Sequence, residues 1–354
     1  MNIAFFISLG IFLICFLSTL VGLRIILSKV ENEPLPASWR QDAFLPVLTV
    51  TIIAFVLLFF FGNNPQDQIF QLSVTEFGIV LIASVFLYVS FFLKNSFIIS
   101  LIFLTALTAI CTLLMPKDFS LFQNSLPFWV NRLCIIVLWT AFSWFFRYLN
   151  GIDGIAALQA SNQLLGLFLV SILGGLPLLY GNFCAAFLGA VTALLIYTWY
   201  PSKLPLKDGS CTTLGFLSGW ILFLSAQEGM KGCSLILITY YILEIFWATG
   251  NKLISDKGKF VANTLYYQTN VSGMSPALTC QSIYKLFIVL LVLSCFQVYA
   301  PNNYSLPLAS ALITLWFMNK LHNWQNQPQS FSEINREVIQ DIKNNVDDIK
   351  KIIR

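Results

Sequence analysis

The sequence is a succession of apolar runs, most of them close to 20 residues long, separated by short polar stretches. A helix rises about 1.5 Å per residue, so about 20 apolar residues match the roughly 30 Å hydrocarbon core of a bilayer. No water reaches the backbone inside that core, and a helix lets one segment satisfy its own N–H and C=O groups. Runs near 3–23, 43–61, 76–93, 95–114, 127–146, 164–181, 182–200, 213–227, 233–250, 282–299 and 305–320 meet the requirement. They predict an all-α, polytopic transmembrane helical bundle of about eleven spans, and the short, closely packed runs leave about ten as the alternative count. Only 10% of the residues are charged, where a soluble domain carries roughly a quarter, which excludes a water-soluble fold. The first run has no basic residue ahead of it and exceeds the core of a signal peptide, so it is read as a span.

Basic residues are retained on the cytoplasmic side of a membrane, and with eleven spans they favour one set of loops. The odd-numbered loops and the C-terminal tail hold seventeen of the twenty Lys and Arg, whereas Lys117, Arg132 and Lys231 fall in or beside the even ones. The N-terminus is therefore expected outside and the C-terminus in the cytoplasm. A net charge of +4 spread over such loops faces anionic lipid head groups and is not a nucleic-acid signal.

Residues 1–320 form the expected membrane unit, and 321–354 a cytoplasmic tail. From Ser330 the tail places Ile339, Ile342, Val346, Ile349 and Ile353 at helical spacing, with Glu333 and Glu337 early and Lys350, Lys351 and Arg354 late. This is one amphipathic helix, suited to self-association, to a partner protein or to the membrane surface, or resting as a solvated helix on the protein. The eight cysteines are scattered without a Cys-x-x-Cys pair, and His322 is the sole histidine, so neither a disulfide frame nor a histidine-rich metal site is expected.

Polar chemistry needs an aqueous face, and two loops on the cytoplasmic side carry acids among small residues. The first reads Arg147-Tyr148-Leu149-Asn150-Gly151-Ile152-Asp153-Gly154-Ile155-Ala156, with glycines that permit tight turns close to a ligand. The second reads Pro201-Ser202-Lys203-Leu204-Pro205-Leu206-Lys207-Asp208-Gly209-Ser210. Two such acids could share Mg²⁺, which is held by one or two carboxylates plus substrate phosphates more often than by a closed protein cage. The alternative is a pair of plain turn acids in solvent.

In their order and topology these loops resemble the polyprenyl-phosphate sugar-1-phosphate transferases, the glycosyltransferase family 4 type that includes phospho-N-acetylmuramoyl-pentapeptide transferase and undecaprenyl-phosphate N-acetylglucosamine-1-phosphate transferase. Asn150 to Ala156 is similar to the second half of that family's Asp-rich loop. Pro201, Lys203, Asp208, Leu214, Gly215 and Phe216 match a later loop in register, Glu244 falls at an intramembrane acid, and Tyr266-Tyr267-Gln268 falls in a final loop. The resemblance implies a cell-envelope enzyme of the bacterial inner membrane that transfers a phospho-N-acetyl-sugar from a UDP-N-acetyl-sugar to a polyprenyl phosphate. Mg²⁺ would be its cofactor, Asp153 and Asp208 its catalytic residues with Asp208 on the metal, and Asn150, Lys203 and Lys207 its substrate-binding residues. Glu244 would be a buried, hydrogen-bonded helix residue more readily than a base.

The chain departs from the family pattern at defined places. Phe91 and Phe92 stand where the family has an Asp-Asp pair, Asn150 replaces the first loop Asp, and Phe260 to Gln268 contains no histidine. Losing two carboxylates removes about two negative charges from a divalent-cation site. Two readings follow. One is an active transferase that recruits Glu31, Glu33 or Asp42 as substitute acids; the other is a catalytically silent relative that binds the lipid phosphate, the nucleotide-sugar or a partner enzyme. A transporter unrelated to the family would want more ionisable groups inside the spans than Glu244 and Arg132.

Overall fold

The computed structural model describes residues 2–32, 43–61, 68–91, 97–115, 127–204, 206–254 and 264–325. These form helices α1 (Asn2–Asn32), α2 (Phe44–Phe61), α3 (Gln68–Ser90), α4 (Phe97–Leu114), α5 (Phe128–Phe146), α6 (Ile155–Ile172), α7 (Leu178–Thr198), α8 (Asp208–Gln227), α9 (Lys231–Ile254), α10 (Leu265–Val271), α11 (Pro276–Gln297) and α12 (Ser305–Gln325). A 3₁₀ turn, Arg147–Gly151, follows α5. Among the described residues there is no strand. Helices α1, α5, α6, α7, α8, α9 and α11 are long and apolar enough to cross a membrane, and α2, α3 and α4 carry the shorter apolar stretches Phe44–Leu58, Glu76–Ser90 and Ile98–Leu114. The chain is thus an all-helical protein of the integral membrane class.

Helix ends follow local chemistry. Helix α6 stops where Gly174 takes φ +85°, a left-handed conformation that costs glycine little. The Gly174 and Gly175 N–H groups then bond back to the Ser171 and Val170 carbonyls at 3.0 and 2.9 Å, satisfying two end carbonyls of the helix. Helix α11 starts at Ser275, whose hydroxyl accepts the Leu278 N–H at 3.3 Å, with Pro276 at the first helical position where its missing N–H is harmless.

Helix α6 is the hub of the bundle, packed on α7, α8, α9 and α11 and buried over nearly its whole length. It begins at Ile155, whereas hydropathy places its span at 164–181. The difference lies in Gln159, Ser161, Asn162 and Gln163, which lower the hydropathy of the first turns and yet are all buried. The Gln159 amide donates to the Leu237 carbonyl of α9 at 3.3 Å, so this polar group points into protein rather than lipid. Helices α8 and α11 likewise start earlier than expected, at Asp208 and Pro276.

Short connections alternate between the two ends of the bundle. One end, the site face, carries residues 147–154, 199–204, 206–207 and α10; the opposite face carries the connections after α6, α8 and α11. Within the bundle, side-chain donors tie α5 to its neighbours. Trp139 Nε1 donates to the Phe216 carbonyl of α8 at 2.9 Å, and the Tyr241 hydroxyl of α9 to the Phe142 carbonyl at 2.7 Å. In hydrocarbon, such bonds remove the cost of burying an indole N–H or a phenol without a partner. The expected tail helix, with Ser330, Glu333 and Ile339 to Ile353, lies outside the described residues.

Candidate functional site

The site face brings both acid-bearing loops together. Asp208 occupies the first turn of α8, where the positive end of the helix dipole suits a carboxylate. The Arg147 guanidinium, in the turn after α5, meets its Oδ2 at 2.8 Å. Arg147 also lies 4.6 Å from the centre of the Trp144 ring and 5.5 Å from that of the Tyr148 ring, two cation–π contacts that help hold its planar group. The Asp208 side chain keeps 55% of its surface exposed, against 17% for Arg147, so this is a solvent-facing pair. Such pairs contribute about 0–1 kcal/mol to stability. Arg147→Ala or Asp208→Asn should accordingly move the unfolding free energy by less than about 1 kcal/mol, as read by thermal unfolding in detergent micelles; a larger loss would show that the pair carries the fold.

Asp153 is engaged differently. Its Oδ2 accepts the Ser202 N–H at 3.2 Å, and its carbonyl accepts the Cys280 thiol at 3.5 Å, so it pins the second loop and α11 to the first loop. The void beside it, bounded by Asp153, Gly154, Thr198, Ser202, Ile152 and Leu206, is about 10 Å³, room for about one water and not for a nucleotide. Gly154, at φ +88°, joins the turn to α6, in a conformation that a side chain would strain. Lys203 is exposed and Lys207 half-buried, with Lys207 immediately before Asp208. Asn150 falls within the 3₁₀ turn; its side chain lies outside the described residues, as do Phe92, Glu33, Asp42, Phe260 to Asn263 and the side chain of Glu31.

The end of α3 reaches the same place. A Cβ added to Gly209 would stand 2.6 Å from the Phe91 Cβ, so Phe91 packs directly on the residue after Asp208. The third approach is α10. Glu244, fully buried in α9, accepts the Leu265 N–H through Oε1 and is also an acceptor for the Tyr266 N–H, with the Tyr240 hydroxyl beside it. A carboxylate there satisfies N–H groups that open a helix otherwise lacking a side-chain cap. Glu244 is a structural acid that seats α10. Tyr266 in turn donates its hydroxyl to the Tyr148 carbonyl at 2.5 Å, which locks α10 onto the turn that presents Arg147. Burial pushes the Tyr266 hydroxyl above the usual tyrosine range, and it stays a donor at neutral pH.

Among the described residues the site face holds no preformed cage for a divalent metal. Among the described residues no group of three or more His, Cys, Asp or Glu is placed to hold one. Asp208 already faces a guanidinium, and Asp153 faces a backbone N–H.

Sequence reasoning missed a charged cluster at the opposite face. Glu76 in α3 lies within electrostatic reach of both Arg132 in α5 and Glu228 after α8, and Tyr180 is hydrogen-bonded to Glu228. Arg132 donates to the Thr112 and Met115 carbonyls at 2.6 and 3.2 Å, closing the C-terminal end of α4. Burial pushes the Glu228 carboxyl above its ordinary range, and the Tyr180 hydrogen bond works against that shift. The available signal was the position of Glu76 at the start of an apolar run. In comparisons with known proteins, no family model matches the chain and no curated protein matches it.

Proposed function

We propose that the chain is a phospho-sugar transferase-like membrane protein that binds a phosphate-bearing ligand, a polyprenyl phosphate or a UDP-N-acetyl-sugar, without transferring the phospho-sugar. In this reading it crosses the bacterial inner membrane about eleven times, with the site face and the tail helix in the cytoplasm. The observation that carries it is the Arg147–Asp208 pair, with Phe91 packed on Gly209 beside it. A guanidinium held by contacts with two aromatic rings presents N–H donors suited to phosphate oxygens, and the solvent-facing carboxylate that now engages it is readily displaced. Lys203 and Lys207 on the adjoining loop add charge for the same anion.

The test is a binding and turnover assay on purified protein with polyprenyl phosphate, Mg²⁺ and a panel of UDP-sugars. The expected result is saturable binding of the phosphate ligand with no UMP released, and about tenfold weaker binding in Arg147→Ala, the loss of one charge-assisted contact. UMP release that requires all three components and disappears in Asp208→Ala would replace this reading with that of an active transferase. Absence of phosphate binding in wild-type protein would remove both.

A further inference from the structure

A groove of about 630 Å³ runs between α5, α8 and α9, separate from the site face chemistry. Its walls are apolar: Phe142, Phe145, Leu222, Phe223, Ile238 and Ile242 are representative. Among the described residues one cation lines it, Lys231, at the first residue of α9 and therefore at the opposite face of the bundle. Tyr304, at the start of α12, stands at the same end with its ring exposed. Among the described residues no carboxylate lies within ion-pair distance of Lys231. At the far end the described lining is Phe145, Ile245 and Phe246, all apolar. The groove is thus polarised, charged at one end and apolar along the rest.

Its length matches one leaflet. Along α9 the lining runs from Lys231 to Phe246, which at about 1.5 Å per residue is about 22 Å. Half a bilayer, head-group region included, is about 20–22 Å. An amine at the head-group level and a Tyr in the interfacial belt are the groups that hold a lipid phosphate and its glycerol region.

We propose that this groove is a binding site for one anionic phospholipid of the leaflet opposite the site face, its phosphate on Lys231 and an acyl chain between α5 and α9. A polyprenyl phosphate seated in this groove from the site face is disfavoured, because among the described residues no cation lines that end of the groove.

The test uses the full chain in nanodiscs of equal phosphatidylglycerol and phosphatidylcholine, with retained lipid read by native mass spectrometry. Wild-type protein should keep phosphatidylglycerol in preference, Lys231→Gln should lower that preference about fivefold, as expected for one Lys near a membrane surface, and Ala141→Phe, which fills the groove, should release the lipid. Thermal unfolding unchanged in Lys231→Gln will show that the fold is intact. Equal retention of both lipids, or a preference untouched by Lys231→Gln or by Ala141→Phe, would overturn the assignment. So would displacement by added polyprenyl phosphate that depends on Arg147 and not on Lys231.

Discussion

Replacing Glu244 by leucine is expected to destabilise the protein by about 3 kcal/mol, because the N–H groups that open α10 would be left buried without an acceptor. Leucine fills much of the volume and adds no strain, so the loss reads the hydrogen bonds rather than a cavity. Glu244→Gln keeps a carbonyl oxygen for the Leu265 N–H and should lose no more than about 1 kcal/mol. Thermal unfolding in detergent micelles separates the two, and hydrogen exchange across Leu265–Val271 should quicken selectively in Glu244→Leu. An equal loss in both variants would mean that charge, not the acceptor, seats α10. The consequence reaches the site face. With α10 loosened, Tyr266 no longer holds the Tyr148 carbonyl, and the turn that presents Arg147 loses its outer brace. Binding of a phosphate ligand should weaken in the same variant even though Glu244 touches no ligand.

How much of this is legible in the sequence depends on the range of the interaction concerned. The all-helical membrane class rests on local hydropathy, a property of each segment alone, and the apolar helices follow it. The grouping of Asp153 and Asp208 on one end rests on counting crossings, and the Arg147–Asp208 and Asp153–Ser202 contacts lie at that end together. What failed depends on tertiary packing. Hydropathy reads Gln159, Asn162 and Gln163 as polar and pushes the start of α6 outward, yet these residues are buried because α6 is the hub and its neighbours, not lipid, surround it. Arg147 counted in the sequence only as a basic residue marking a cytoplasmic loop. Its engagement with Asp208, 61 positions away, exists because α5 and α8 are packed side by side. The cluster of Glu76, Arg132 and Glu228 was invisible for the same reason, since its members come from separate segments.

The packing of α1 on α7 gives the second large effect. On the α1 side of α7, Ala186 clusters with Cys15 and Gly189 lies against Phe12 and Phe16, a small-residue stripe of the kind that lets membrane helices approach closely where burial from water supplies no force. The approach is close in fact: a Cβ on Gly189 would overlap the Phe12 carbonyl oxygen and stand 3.0 Å from the Phe16 nitrogen. These are backbone atoms of a helix and cannot turn aside as a side chain can, so Gly189→Leu must drive α1 off α7, at an expected cost of about 3 kcal/mol. On α1 itself, a Cβ added to Gly10 would meet nothing within 4 Å, so Gly10→Ala should be neutral or slightly stabilising through helix propensity. The displacement can be read directly. Ser8 donates to the Asn182 side chain at 2.5 Å across the same interface, so Ser8→Cys with Asn182→Cys should cross-link on oxidation in the native background and in Gly10→Ala. Adding Gly189→Leu should abolish the cross-link. Persistence of the cross-link with unchanged thermal unfolding would show that α1 slides along α7 to accommodate the larger side chain, and that the small-residue stripe does not set their distance.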